Sequence, residues 1–454
     1  MKRIKTCRFC GGDGESFRKC STCKTEFNIK WHYCNKECQL NDWEVHKLFH
    51  KMKEYEFKGG MEKIKQSQNN EIASALLYKA EHGDWKGVEK LLAEGADPLW
   101  INEHGHSSLH FACYHGHLKV VRTLLARGST PILEQPTYVG TTCLFVACQF
   151  GQLDVVTELV QATGRTFLMQ THESAGTCLH VACAYGQMDV ISYLMDVGGK
   201  ELVRRTCADG STCLHTACVH KHGKAVNFLL KTGDEWLLRK QNNNGLNCLH
   251  SAASEGAPSN IIKAIVKAGG PQMVEQQTFE GATGLVLACQ NHNMEAVEFL
   301  AQNGGLPLML IPSHAGNCLF VASQCGHEDV VRLLIRLGGQ DLLFYPRPVG
   351  QMHAIHVACK NGHLGVAKAL FEAGGEQVLM LEGLDGETCL HWAASSGSND
   401  VVRYLLRVGG RRLAEKATLT EHQTASEVAK LQGCEEACRI IFDALLDRGG
   451  AGDA

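Results

Sequence analysis

A leucine set directly after Cys or another small residue returns at a fixed interval through most of this 454-residue chain. The series runs Ser108-Leu109-His110, Cys143-Leu144-Phe145, Cys178-Leu179-His180, Cys213-Leu214-His215 and Cys248-Leu249-His250, its leucines 35 residues apart. It continues through Gly284-Leu285-Val286, Cys318-Leu319-Phe320, Ala354-Ile355-His356 and Cys389-Leu390-His391. Worn copies open it at Ala75 to Asp97 and close it at Ala425-Ser426-Glu427, which makes eleven units. Such a period means that each unit is one small supersecondary element that cannot bury its apolar face alone. Neighbours must stack, so one compact core for the whole chain is excluded.

Each unit has the same internal grammar. A Gly and a Thr, Ser or Asn usually precede the Leu-His step. An Ala-Cys or Ala-Ala pair and then Gly follow it, as in Val181-Ala182-Cys183-Ala184-Tyr185-Gly186. A second apolar-periodic stretch comes next, such as Asp189-Val190-Ile191-Ser192-Tyr193-Leu194, and many units end in Gly-Gly, as at Gly198-Gly199, Gly338-Gly339, Gly374-Gly375 and Gly409-Gly410. This predicts a helical hairpin. Small Ala and Cys let helices approach, the middle Gly ends the first helix in the left-handed conformation, and the paired Gly ends the second.

The Thr-Cys-Leu-His-x-Ala-Cys-x-x-Gly pattern resembles the ankyrin Thr-Pro-Leu-His-x-Ala signature over about residues 71–450. The resemblance implies a mostly α fold, an ankyrin-repeat solenoid. Two departures stand out. Cys replaces Pro at the first helical position in most units, and the period is near 35 rather than 33. The extra residues follow Gly-Gly, as in Asp341-Leu342-Leu343 and Glu201-Leu202-Val203, and are expected to lengthen the hairpin loop or add a short turn over the helix ends. The recurring His residues, His110, His180, His215, His250, His356 and His391, are similar to the family's structural histidine, which hydrogen-bonds within and between turns. Phe145, Val286 and Phe320 fill the same slot, which does not suit a shared chemical role.

The first fifty residues follow another rule. Cys7/Cys10, Cys20/Cys23, Cys34/Cys38 and His46/His50 are spaced C-x2-C, C-x2-C, C-x3-C and H-x3-H. Eight ligands in four short-spaced pairs make two tetrahedral sites. The string Tyr33-Cys34-Asn35-Lys36-Glu37-Cys38-Gln39, with Trp43, His46 and His50, resembles a MYND-type zinc finger over Cys7 to His50. His50 stands where that family normally has Cys, and His32 is a poor spare ligand. The resemblance implies two structural Zn2+ ions in a cross-braced layout, Cys7, Cys10, Cys34 and Cys38 holding one and Cys20, Cys23, His46 and His50 the other. It also implies that Gln39 and Trp43 border a groove for proline-containing peptides. The expected organisation is therefore a finger over 1–50, a linker or linker helix over 51–70, and the array over 71–450.

Composition bounds the function. Net charge is −3, so no global pull toward nucleic acid is implied. The first 58 residues do hold 13 Lys/Arg against 8 Asp/Glu, which keeps open a nucleic-acid-associated regulatory role for the basic finger. No apolar run reaches the roughly 18 residues that span a bilayer, and no secretory segment precedes Cys7. The 22 cysteines then read as reduced thiols in a cytoplasmic or nuclear protein, with the repeat cysteines as small buried hydrophobes. No P-loop, dinucleotide fingerprint or nucleophile-elbow motif occurs. The expectation is a non-enzymatic, monomeric adaptor without membrane attachment. The finger takes a linear motif, and the concave face of the array takes a second protein. Candidate tips on that face, Asn102-Glu103-His104, Gln241-Asn242-Asn243 and Glu382-Gly383-Leu384, are mixed in charge.

Overall fold

The computed structural model describes residues 67–446, except 129–130 and 173–175, together with four two-residue strands nearer the N-terminus. It is mostly helical. Eleven helix pairs follow one another at the repeat period, from Ser67–Glu81 with Trp85–Ala93 to Ala425–Leu431 with Glu435–Leu446. The chain divides into two compact units, one of residues 1–182 with 192–198 and one of 183–191 with 199–454.

The first helix of a pair is short because its ends are fixed by sequence. Thr212, in extended conformation, caps Cys213–Val219 and accepts from the His215 amide. At the other end, Gly116 (φ 74, ψ 25) closes Ser108–His115 and Gly326 (φ 80, ψ 20) closes Cys318–Cys325, both in the left-handed region that favours glycine. Between the caps, the Leu and the Ala-Cys pair point inward. Leu214, Ala217 and Cys218 are fully buried, as are Leu249, Ala252 and Ala253. Within the second unit, the first helices of successive pairs pack one on the next from Cys213–Val219 to Ala425–Leu431. Within the first unit, Ser67–Glu81 packs on Ser108–His115, and Ser108–His115 on Cys143–Gln149. Each inward leucine contributes roughly 1.5–3 kcal/mol that no isolated hairpin could collect.

The two departures from the ankyrin pattern are one device. In the pair that ends Leu333-Leu334-Ile335-Arg336-Leu337-Gly338-Gly339, the second glycine adopts φ 61, ψ −154, a conformation essentially closed to other residues. A Cβ on the first would stand 2.6 to 2.7 Å from the Leu342 side chain. The chain therefore kinks at Gly339, turns once more as helix, and lays Leu342 and Leu343 into the core. The extra residues are a short helical turn, not a longer loop. Its exposed carbonyl end is then met by the cysteine that stands in place of proline. The Cys318 thiol donates to the Met309 carbonyl at 3.3 Å, Cys389 to Leu379 at 3.5 Å, and Cys178 to Leu168 at 3.6 Å. Proline could make no such bond. The preceding repeat's Ala-Cys thiol lies beside this cysteine, Cys289 beside Cys318 and Cys359 beside Cys389.

Candidate functional site

The repeat histidines join turns rather than form a reactive site. His215 Nδ1 accepts from the Thr212 N–H at 3.2 Å and from the Thr212 hydroxyl at 2.8 Å, and its Nε2–H donates to the Leu246 carbonyl of the next unit at 2.9 Å. A carbonyl can only accept, so the ring is neutral with its proton on Nε2. His110 bonds Ser107 and the Thr141 carbonyl in the same way, His250 bonds Asn247 and Gln276, His356 bonds His353 and Leu381, and His391 bonds Thr388 and Gln423. Burial pushes the imidazoles of His110, His250 and His356 down to about 4. A second set reaches backward. His222 Nε2 donates to the Ala184 carbonyl at 2.8 Å and His363 to Gln324 at 3.0 Å. The structural role expected for the repeat histidines is the one the geometry gives.

A different feature lies on the surface. In the second unit the turns before the first helices are tied to one another through the backbone. Asn243 N–H donates to the Asp209 carbonyl at 2.8 Å, His314 to Glu280 at 2.9 Å, and Leu419 to Asp385 at 2.8 Å. On this ledge stand Phe279, Leu384 and Leu419, with Val349 on the tip of an intervening repeat; they are 68, 69, 63 and 74% exposed in that order. They recur at multiples of 35 residues, like the leucines of the core. Glycine makes room for them. A Cβ on Gly245 would stand 2.8 Å from the Phe279 ring, and one on Gly386 would stand 2.9 Å from Leu419. Beside Phe279 lies an open cleft lined by Trp236, Lys240, Gln241 and Asn243. Of the tips singled out from the sequence, Gln241, Asn243 and Leu384 are on this ledge. The row of apolar tip residues was missed because a single exposed Phe or Leu means little in a sequence. Its recurrence at the repeat period was the available signal.

The finger's candidate ligands, Cys7, Cys10, Cys20, Cys23, Cys34, Cys38, His46 and His50, lie outside the described residues, as do Gln39 and Trp43 of the peptide groove and residues 51–66 of the linker. Four short strands between them are described. β1 (Lys5–Thr6) pairs antiparallel with β2 (Asp13–Gly14). β3 (Arg18–Lys19) pairs antiparallel with β4 (His32–Tyr33), Arg18 opposite Tyr33 and Lys19 opposite His32. β1 also lies against β4. A donor set of six thiols and two imidazoles suits zinc.

The profile for ankyrin repeats matches residues 76–167, 144–239, 249–344 and 355–447, and that for the MYND finger matches residues 7–50. The chain belongs to the ankyrin-repeat family. It carries a MYND zinc finger ahead of its repeats, and zinc binding follows from that finger. Among curated relatives, an E3 ubiquitin-protein ligase, KEG, of Arabidopsis thaliana is 27% identical over 161 residues, covering 35% of this chain and 10% of its own length. Diacylglycerol kinase iota of Mus musculus is 32% identical over 92 residues, 20% of this chain and 9% of the kinase. A Drosophila melanogaster homolog of zinc finger MYND domain-containing protein 10 is 43% identical over 44 residues, 8% of this chain and 10% of that protein. The chain thus spans about a tenth of the length of the curated relatives it matches. Among solved structures, the human ASB11 ankyrin repeat domain is 22% identical with a TM-score of 0.41, covering 49% of this chain and 96% of that domain.

Burial raises the thiols of Cys113, Cys148, Cys218, Cys289 and Cys359 well above the usual range, and pushes that of Cys248 up to about 12. Such thiols are poor nucleophiles and poor metal ligands. Among the described residues there is no cluster of three or more side chains able to hold a metal ion, and no helix long and apolar enough to cross a membrane. Ankyrin repeats beside a MYND finger are a protein–protein interaction architecture.

Proposed function

We propose that this protein is a non-enzymatic, monomeric adaptor of the cytoplasm or nucleus. Its finger holds a proline-containing linear motif against Gln39 and Trp43. Its array holds a second protein along the face made by the first helices and the tips before them. The observation that carries this reading is the exposed row Phe279, Val349, Leu384 and Leu419, with the Phe279, Leu384 and Leu419 tips each bonded to a neighbouring tip through the backbone. An apolar row on a rigid support loses little entropy when covered, which favours binding. In the finger, Cys7, Cys10, Cys34 and Cys38 hold one zinc ion and Cys20, Cys23, His46 and His50 the other. All four positions of each ion are taken by protein, so both are structural. Two modest affinities on one chain raise the effective concentration of each partner near the other.

The full-length chain tests both halves. Trp43→Ala is expected to abolish capture of a proline-containing peptide while the zinc content stays at about two per chain. Leu384→Asp combined with Phe279→Asp is expected to leave peptide capture intact and to lose the second protein. Unchanged peptide affinity in the first variant would end the groove assignment. Unchanged capture in the second would end the tip assignment.

A further inference from the structure

One repeat of the second unit departs from its neighbours at the helix cap. Thr212, Asn247, Thr283, Asn317 and Thr388 precede the first helices of their repeats, but His353 precedes Ala354–Lys360. The Asn247 and Asn317 side-chain oxygens accept the third helical amide at 2.9 Å, and such oxygens do not titrate. The His356 N–H approaches the His353 side chain in a capping-box arrangement but makes no full hydrogen bond with it, and the ring's Nδ1 is buried without a hydrogen-bond partner. The residue is 9% exposed. Its ring stands edge-on to His356 with centroids 5.4 Å apart. His356 has no nitrogen to spare, since Nδ1 accepts from the His353 N–H at 3.2 Å and Nε2 donates to the Leu381 carbonyl at 2.9 Å.

We propose that His353 makes this repeat an acid-operated joint, at which protonation of its ring frees the Ala354–Lys360 helix from the helices packed on it before neighbouring repeats open. The proton goes to whichever ring nitrogen carries the lone pair, and in the resulting cation both nitrogens must donate although Nδ1 is buried without a partner. The cation would then be buried, beside the free N–H groups of a helix start and a second imidazole, and each of these disfavours it. No neighbouring anion compensates. The Cys318–Cys325 helix carries only the thiols of Cys318 and Cys325. On Cys389–Ser395, the Cys389 thiol is bonded to Leu379 and His391 is bonded to Thr388 and Gln423. Glu387, before that helix, is bonded to the Asp385 amide and acts on His391. On Leu364–Leu379, Lys368 lies over the Tyr404 ring and Glu372 is paired with Arg332; Glu376 there shows no side-chain bond to His353. Arg347, in the preceding turn, stacks on Phe320 and donates to the His314 carbonyl. On the helix itself, Lys360 lies over Trp392 and the Cys359 thiol lies beside Cys389.

Burial holds the His353 imidazole below its usual value, with no charged neighbour contributing. The closed joint therefore prefers the neutral ring, and the open joint takes the proton first as pH falls. Closure is at full strength above the unfolded histidine value of about 6.5 and weakens below it.

Hydrogen exchange on the full chain, corrected for intrinsic rates, reads the joint directly. Between about pH 7.5 and about pH 5.5, protection of amides 354–360 is expected to fall by about tenfold relative to those of Cys213–Val219. His353→Thr, or His353→Asn if the first variant folds poorly, is expected to remove that extra fall and leave Cys213–Val219 unchanged. Equal proportional loss in both helices of the wild type would overturn the proposal. So would an unaltered pH dependence in the variants, which would move the effect to His356.

Discussion

At the scale of the single residue, glycine and cysteine carry more of this fold than their size suggests. Gly339 sits at φ 61, ψ −154 so that one more turn of helix can follow the kink. Gly339→Ala should cost about 1–3 kcal/mol, because a Cβ makes that conformation strained. Urea unfolding checks it, and a midpoint equal to wild type would show that the kink can relax. The same paired glycine was legible in the sequence as the end of a helix. Its second task, admitting Leu342 against the first glycine, was not, since that contact spans four residues across a kink. Cysteine in place of proline looked like a loss of pre-set geometry. In the structure it gains a thiol donor aimed at a carbonyl nine or ten residues earlier.

At the scale of the helix pair, the histidine between its own cap and the next turn is the main polar link. Each ring is neutral in the folded chain, and burial lowers its proton affinity. The unfolded chain binds these protons at about pH 6.5. Stability contributed by neutral burial is therefore fully present above about 6.5 and is lost progressively down to about 4, where the native rings of His110, His250 and His356 would also titrate. Denaturant midpoints measured across that window should fall steeply as pH drops, with proton uptake on unfolding. His215→Phe, which copies the residue at Phe145 and Phe320, should flatten the slope. A midpoint indifferent to pH would contradict the neutral-ring assignment. The sequence placed these histidines at one recurring position and made a catalytic reading implausible. The receiving carbonyls, some thirty residues further on, belong to the packing.

At the scale of the whole molecule, two kinds of stabilisation share one chain. The repeats carry their own apolar core from Ala73 to Ile441. The finger has almost no core by sequence, and we propose that it depends on its zinc. A strong chelator should therefore strip the zinc while the far-ultraviolet helical signal persists. Native mass spectrometry before chelation should count two ions. Collapse of the helical signal on chelation would show that the array needs the finger. A count other than two would undo the ligand division proposed for Cys7 through His50.

The period, the helix starts and stops, the inward leucines and the ligand pairs were fixed by the order of residues, because each is a local rule repeated many times. Caps act over three residues, hairpin faces over four, and metal pairs over two or three, so all can be read along the chain. Three things were decided only when the helices packed. They are the extra turn sealed by a thiol, the apolar row on the tips, and the orphaned nitrogen of His353. Each depends on atoms brought together across a kink or from neighbouring repeats, and no interval along the chain records what a side chain meets, or fails to meet, once its neighbours have closed around it.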